Sequence, residues 1–193
     1  TRLFGLFVLV FACIFPIATV EANDFESTLK ELGNKSRSKI KIAVQNLGDL
    51  GNPAALPALE ALKDKRLGIT EEGNLVILNK SGDQGNDFLS GEKADIESLK
   101  LRKPRINNVV RRSLSMTIAK LKLVSNNSAV RREAAEELLK GSSSEIVALV
   151  EASLKKEKND DIKETLLLVL AKINLQGDDK NKRIESINTI KKL

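Results

Sequence analysis

The stretch Asn46-Leu-Gly-Asp-Leu-Gly-Asn-Pro-Ala-Ala-Leu-Pro-Ala-Leu-Glu-Ala-Leu-Lys-Asp64 decides how the chain is read. Leu47 and Leu50 end one helix, and Gly48 and Gly51 lie around its end, where a left-handed residue is cheap only for glycine. Asn52 is a good N-cap, and Pro53 takes the first helical position, where its missing N–H costs nothing. Leu56, Leu59 and Leu62 then recur every third residue, with Ala54, Ala55, Ala58 and Ala61 around them. The expectation is a second helix folded back on the first. Such a hairpin has to stack on others to bury its apolar stripe.

Working toward the N-terminus, Lys39–Leu50 is the first helix of that hairpin, with Ile40, Ala43, Val44 and Leu47 on one face. A shorter helix is expected over Phe25–Leu32, stopped by Gly33. Before it, Arg2 leads an apolar run from Leu3 to Ile17, and Ala18-Thr-Val-Glu-Ala22 follows. A basic start, a short apolar run and a small-residue exit describe a secretory signal peptide over residues 1–22, cleaved before Asn23. Residues 23–66 then form the first helical hairpin.

Toward the C-terminus the period changes. Leu75-Val-Ile-Leu78 is a β-rich run between the turn clusters Glu72-Gly-Asn74 and Ser81-Gly-Asp-Gln-Gly-Asn86. Residues 67–103 are therefore read as a small β-hairpin insert and a return loop. As an appendage, the insert would leave the helices intact if residues 70–88 were removed.

Helical spacing resumes over residues 104–193. Val110, Leu114, Ile118 and Leu121 make one stripe. Ala134 and Leu138 are matched by Leu166 and Leu170, each 32 residues on, a spacing within the range of helical solenoids. The fold class expected is all-α: HEAT-like helical hairpin repeats, an α-solenoid, carrying one β-hairpin insert. The pattern is still helical at Leu193, which predicts continuation beyond it.

Composition limits the chemistry. The sequence has 193 residues, net charge +6, no histidine, no Trp or Tyr, and a single cysteine, Cys13, within the apolar leader. The mature part thus lacks an imidazole base, a thiol nucleophile and soft metal ligands. No catalytic, cofactor-binding or metal site is expected, and the chain is read as a non-enzyme. Acidic pairs such as Asp160-Asp161 and Asp178-Asp179 stand at helix starts, where the dipole favours them.

From Ser98 to Arg132 there are ten basic residues and no acidic one: Lys100, Arg102, Lys103, Arg105, Arg111, Arg112, Lys120, Lys122, Arg131 and Arg132. Arg111, Arg112, Arg131 and Arg132 are the candidate docking face, for an acidic partner or an anionic membrane surface. The plainer reading of the same run is a solvated face on two helices. Nucleic acid is not expected as a partner, because past residue 22 only Phe25 and Phe88 offer aromatic stacking.

The order of pieces carries a resemblance. The leader, the Leu47-Gly-Asp-Leu-Gly-Asn-Pro-Ala-Ala-Leu-Pro-Ala-Leu59 hairpin and the Gly73-Asn-Leu-Val-Ile77 run come first. Arg105-Ile-Asn-Asn-Val-Val-Arg-Arg112 and Val130-Arg-Arg-Glu-Ala-Ala-Glu-Glu-Leu-Leu139 follow. Together they resemble the extracytoplasmic N-terminal region of the permease B subunit of bacterial urea ABC transporters, within the branched-chain amino acid permease group. The resemblance spans the whole chain. It implies a periplasmic domain at the inner membrane that docks or positions components for substrate import. The partners it implies are the remaining permease, the ATPase subunits and a periplasmic solute-binding protein. The alternative from a different class is a free-standing exported helical-repeat scaffold for protein–protein interaction.

Overall fold

The computed structural model describes residues 18–140 and 144–193. Eight α-helices and three strands run through them: α1 Ala18–Glu31, α2 Arg37–Leu50, α3 Leu56–Lys63, β1 Leu67–Ile69, β2 Leu75–Leu78, β3 Gly85–Asp87, α4 Asn108–Leu123, α5 Ser128–Lys140, α6 Val147–Lys156, α7 Asp160–Leu175 and α8 Lys180–Lys192. The chain is mostly helical, with one small antiparallel sheet in the order β1-β2-β3. The leader expected over residues 1–22 lies, as far as residue 17, outside the described residues. α1 starts at Ala18, before the expected cleavage point at Asn23.

Side-chain caps set several helix starts. Asn52 Oδ1 accepts from the Ala54 amide at 3.0 Å and opens the short 3₁₀ turn Pro53–Ala55 ahead of α3. Asn107 accepts from Val110 at 3.0 Å to start α4, and Asn159 accepts from Ile162 at 3.1 Å to start α7. Asp179 accepts from the amides of Asn181 and Lys182 at the start of α8. At the other end of α2, Gly51 takes φ 66°, the left-handed value that glycine adopts without strain.

α4 is the wall shared by two cores. Val110, Leu114, Ile118 and Leu121 join Leu29, Leu32, Ile40, Val44, Leu47, Leu59, Leu62 and the strand residues Leu67, Ile69 and Leu75 in the first. Ala119 and Leu123 join Ala134, Ala135, Leu138, Val150, Ile162, Leu166 and Val169 in the second. A helix buried on two sides carries apolar residues around most of its girth. The sequence stripe accounts for only the first of those sides.

Two expectations need correction here. α2 and α3 do not fold back chiefly on each other; α2 packs mainly on α1 and α4, and α3 on α4 and the sheet. α3 has only eight residues, too short to lie along α2 while also covering the sheet. The β-hairpin insert, second, is a three-stranded sheet and is no appendage. β1 pairs with β2 in the register Leu67↔Ile77 and Ile69↔Leu75, and β2 pairs with β3 through Ile77↔Asn86 and Leu78↔Gly85. The return loop adds an isolated bridge, Ile69 and Arg102 exchanging two backbone hydrogen bonds of 2.9 Å. Leu67, Ile69 and Leu75 are at most 3% exposed, because this sheet closes one end of the first core.

Candidate interaction face

The basic run spreads over the loop before α4, over α4 itself and over the first turns of α5, and the structure divides it into spent and unspent charge. The Arg102 guanidinium donates to the Gly33 carbonyl. Lys120 pairs with Asp49 of α2 at 2.8 Å. Lys122, its side chain 12% exposed, sits between Glu60 of α3 at 2.9 Å and Glu133 of α5 at 3.1 Å. Burial alone would lower its pKa, but the hydrogen bonds it donates to Glu60 and Glu133 outweigh that and hold it above the usual lysine value. One helical turn on, Lys63 pairs with Glu137 at 2.7 Å, which pulls the Glu137 carboxyl below its ordinary range. These pairs tie α3, α4 and α5 together along one edge.

Two of the four expected docking residues are also spent, which corrects the reading of a free four-arginine face. Arg131 forks onto Glu157, Nε to Oε2 at 2.8 Å and Nη2 to Oε1 at 3.0 Å, while Nη1 donates to the carbonyls of Ser125 and Asn126. The Glu157 carboxylate is 4% exposed and also accepts from the amides of Lys158 and Asn159 at 2.9 Å. Arg132 reaches Asp161 of α7 at 3.0 Å. Arg131 therefore staples the α4–α5 turn to the chain leaving α6, a structural role. Sequence reasoning missed Glu157 because its partner stands 26 residues away and nothing local links the two.

The staple carries a pH prediction. The Arg131 guanidinium, with help from the two amides, holds the Glu157 carboxyl at about 2 against an ordinary 4.5. A carboxyl whose pKa is depressed in the folded state stabilises the fold above its unfolded pKa and loses that contribution as pH falls through the folded one. The window here is about pH 4.5 to 2. Arg131→Met should cost about 2–3 kcal/mol at pH 7, since a nearly buried carboxylate loses its cation. It should also flatten stability between pH 4.5 and 2, as read by urea unfolding at stepped pH. Equal slopes in variant and parent would show that the pair contributes nothing.

Lys100, Lys103, Arg105, Arg111 and Arg112 form no ion pair among the described residues. Arg111 is half-buried and Arg112 exposed. Both border a shallow groove of ≈ 260 Å³ with Met116, Leu138, Glu145 and Ile146. Free guanidinium groups beside an apolar floor can take a carboxylate-bearing partner in a bidentate grip. Among the described residues no group of three or more His, Cys, Asp or Glu side chains is placed to hold a metal ion, and no helix is long and apolar enough to cross a membrane. No family model, curated protein or solved structure matches the chain.

Proposed function

We propose that the chain is a non-catalytic docking and positioning module of a urea importer, built of HEAT-like helical repeats and acting at the periplasmic face of the bacterial inner membrane. The observation that carries the docking role is the unpaired state of Arg111 and Arg112 beside their groove, while the basic residues farther along α4 and α5 are tied into ion pairs. The repeat reading draws support from α5 and α7. Ala134 and Leu138 on one, and Leu166 and Leu170 on the other, stand 32 residues apart in sequence and meet in one core. The importer itself rests on the resemblance of the whole chain to the permease preface, which makes an acidic segment of the periplasmic solute-binding protein the natural occupant of the arginine groove.

Reversing both charges, Arg111→Glu with Arg112→Glu, is the test. Like charge facing an acidic partner costs on the order of several kcal/mol, so urea uptake and co-purification of the solute-binding protein should fall at least tenfold. The melting temperature should stay put, since neither side chain is in an ion pair. Unchanged uptake and complex recovery would sink the docking face. Micromolar binding of urea to the isolated chain by calorimetry would instead make this a receptor domain.

A further inference from the structure

The arginine groove has a continuation. Arg112 and Met116 of α4 line it on one side, Ile146 just ahead of α6 on the other, and Leu138 of α5 between them. A second cavity, of ≈ 700 Å³, is lined by Leu123 and Val124 of α4, Leu149 and Ser153 of α6, and Arg131 of α5. The same chain segments meet at both, and in a consistent order. Arg112, Met116 and Leu123 recur along one face of α4, while Ile146, Leu149 and Ser153 advance in the same direction along α6. Leu138 and Arg131 stand two turns apart on α5 and run the opposite way, because α5 returns along α4. The two cavities are therefore two reaches of one trough. α4 packs on α2, α3 and α5, and α6 packs on α7, so the two walls leave the trough open between them. From Arg112 to Leu123 it is roughly 16 Å long, the length of a helix of about eleven residues.

Its charges sit at the two ends. Lys156 and Lys158 at the far end are exposed and form no ion pair among the described residues, like Arg111 and Arg112 at the near end. Lys120 and Arg131 are spent on Asp49 and Glu157. Glu145 is the one lining acid with no cation on it among the described residues. Between the ends lie Met116, Leu123 and Leu149, and Val124 stands at the far rim, 57% exposed. Cations at both ends of an apolar middle match an elongated anion with an apolar waist. A bilayer is flat and would meet the rims, leaving Leu123, 6% exposed, untouched. An extended strand would bring backbone N–H and C=O groups to helical walls that have no ladder to offer them. A helix satisfies its own.

We propose that the partner enters this trough as an amphipathic α-helix of about three turns, acidic at both ends, with its apolar stripe over Met116, Leu123 and Leu149. That helix presupposes the docking role of Arg111 and Arg112 and gives Lys156 and Lys158 a share in it.

The probe is a labelled, end-capped peptide of about twelve residues, with leucines at helical spacing and glutamates at both ends, read by anisotropy against the full chain. It should bind, and a scrambled peptide of the same composition should not. Lys156→Glu with Lys158→Glu should weaken binding at least tenfold, as should Arg111→Glu with Arg112→Glu. The lysine pair is exposed and unpaired, so the melting temperature should hold. Should the reversal disturb the fold, Lys156→Gln with Lys158→Gln removes the charge alone and should still weaken binding. Loss at Arg111 and Arg112 only would overturn the trough and leave the docking face standing. Binding that needs the lysines, with urea uptake indifferent to Arg111→Glu and Arg112→Glu, would uphold the trough and sink the importer role. No binding, or equal binding of the scrambled peptide, overturns the helix. Phosphatidylglycerol vesicles that bind through these four cations where the peptide does not would assign the trough to a membrane. Self-association abolished by the same substitutions, again without peptide binding, would assign it to a second copy.

Discussion

Deleting residues 70–88 and rejoining the ends with a short Gly/Ser turn should abolish cooperative unfolding of the first core. The deletion removes β2 and β3 together. Leu75, Val76 and Leu78 are 2%, 1% and 3% exposed, and Ile77 and Phe88 pack against the first core from its edge. Each fully buried Leu or Val contributes about 1.5–3 kcal/mol, so three of them amount to roughly 5–9 kcal/mol before β1 loses its partner. A domain is stable by about 5–15 kcal/mol in total, and the loss is of that size. Because α4 lines both cores, the second should soften as well. Circular dichroism across a urea titration should show a broad, low-helix transition. A sharp transition with the parent's helical signal would show that the sheet is a dispensable appendage, the view that sequence alone supports. The point substitution Leu75→Asp should reproduce much of the effect without changing chain length.

Helix existence was legible because capping and periodicity agree. Asn52, Asn107 and Asp179 each start a helical turn through their own side chains, and Leu166 with Ala134 and Leu138 lies in the core where the spacing placed it. What stayed hidden was non-local. Gly85-Asn-Asp87 reads as turn residues, yet it forms β3, because glycine lets that strand close on β2. A Cβ on Gly85 would stand 2.9 Å from the Ile77 carbonyl oxygen and 3.0 Å from Leu78 and Val76 side chains. The second side of α4, at Met116, Ala119 and Leu123, was masked by the stronger first stripe. For the candidate face the limit was pairing. Ten cations in a row look alike in sequence, and only the fold brings Asp49, Glu60, Glu133, Glu157 and Asp161 to half of the α4–α5 side while leaving Arg111 and Arg112 unmatched.

Gly48→Leu should cost about 2–6 kcal/mol, and the reason differs from the helix-ending role that sequence assigns to this glycine. Gly48 is buried inside α2, where α2 crosses α4. A Cβ there would lie 3.0 Å from Thr117 Cγ2 and 3.2 Å from Thr117 Oγ1. Thr117 has little room to yield, being 6% exposed with its hydroxyl donating to the Val44 carbonyl at 3.2 Å. A leucine has to push the helices apart, at about 1–3 kcal/mol for overpacking, and breaks that hydrogen bond for about 1–3 more. Gly48→Ala is the finer probe. Helix propensity favours it by about 1 kcal/mol, and the contact with Thr117 Cγ2 opposes it. Thr117→Ser removes that methyl and keeps the hydroxyl, so Gly48→Ala should be markedly better tolerated when the two substitutions are combined. A coupling of about 0.5–2 kcal/mol in a double-mutant cycle, read by urea unfolding, is expected. Strict additivity would mean that α2 and α4 do not touch through these two residues, and that the glycine is there for its backbone alone.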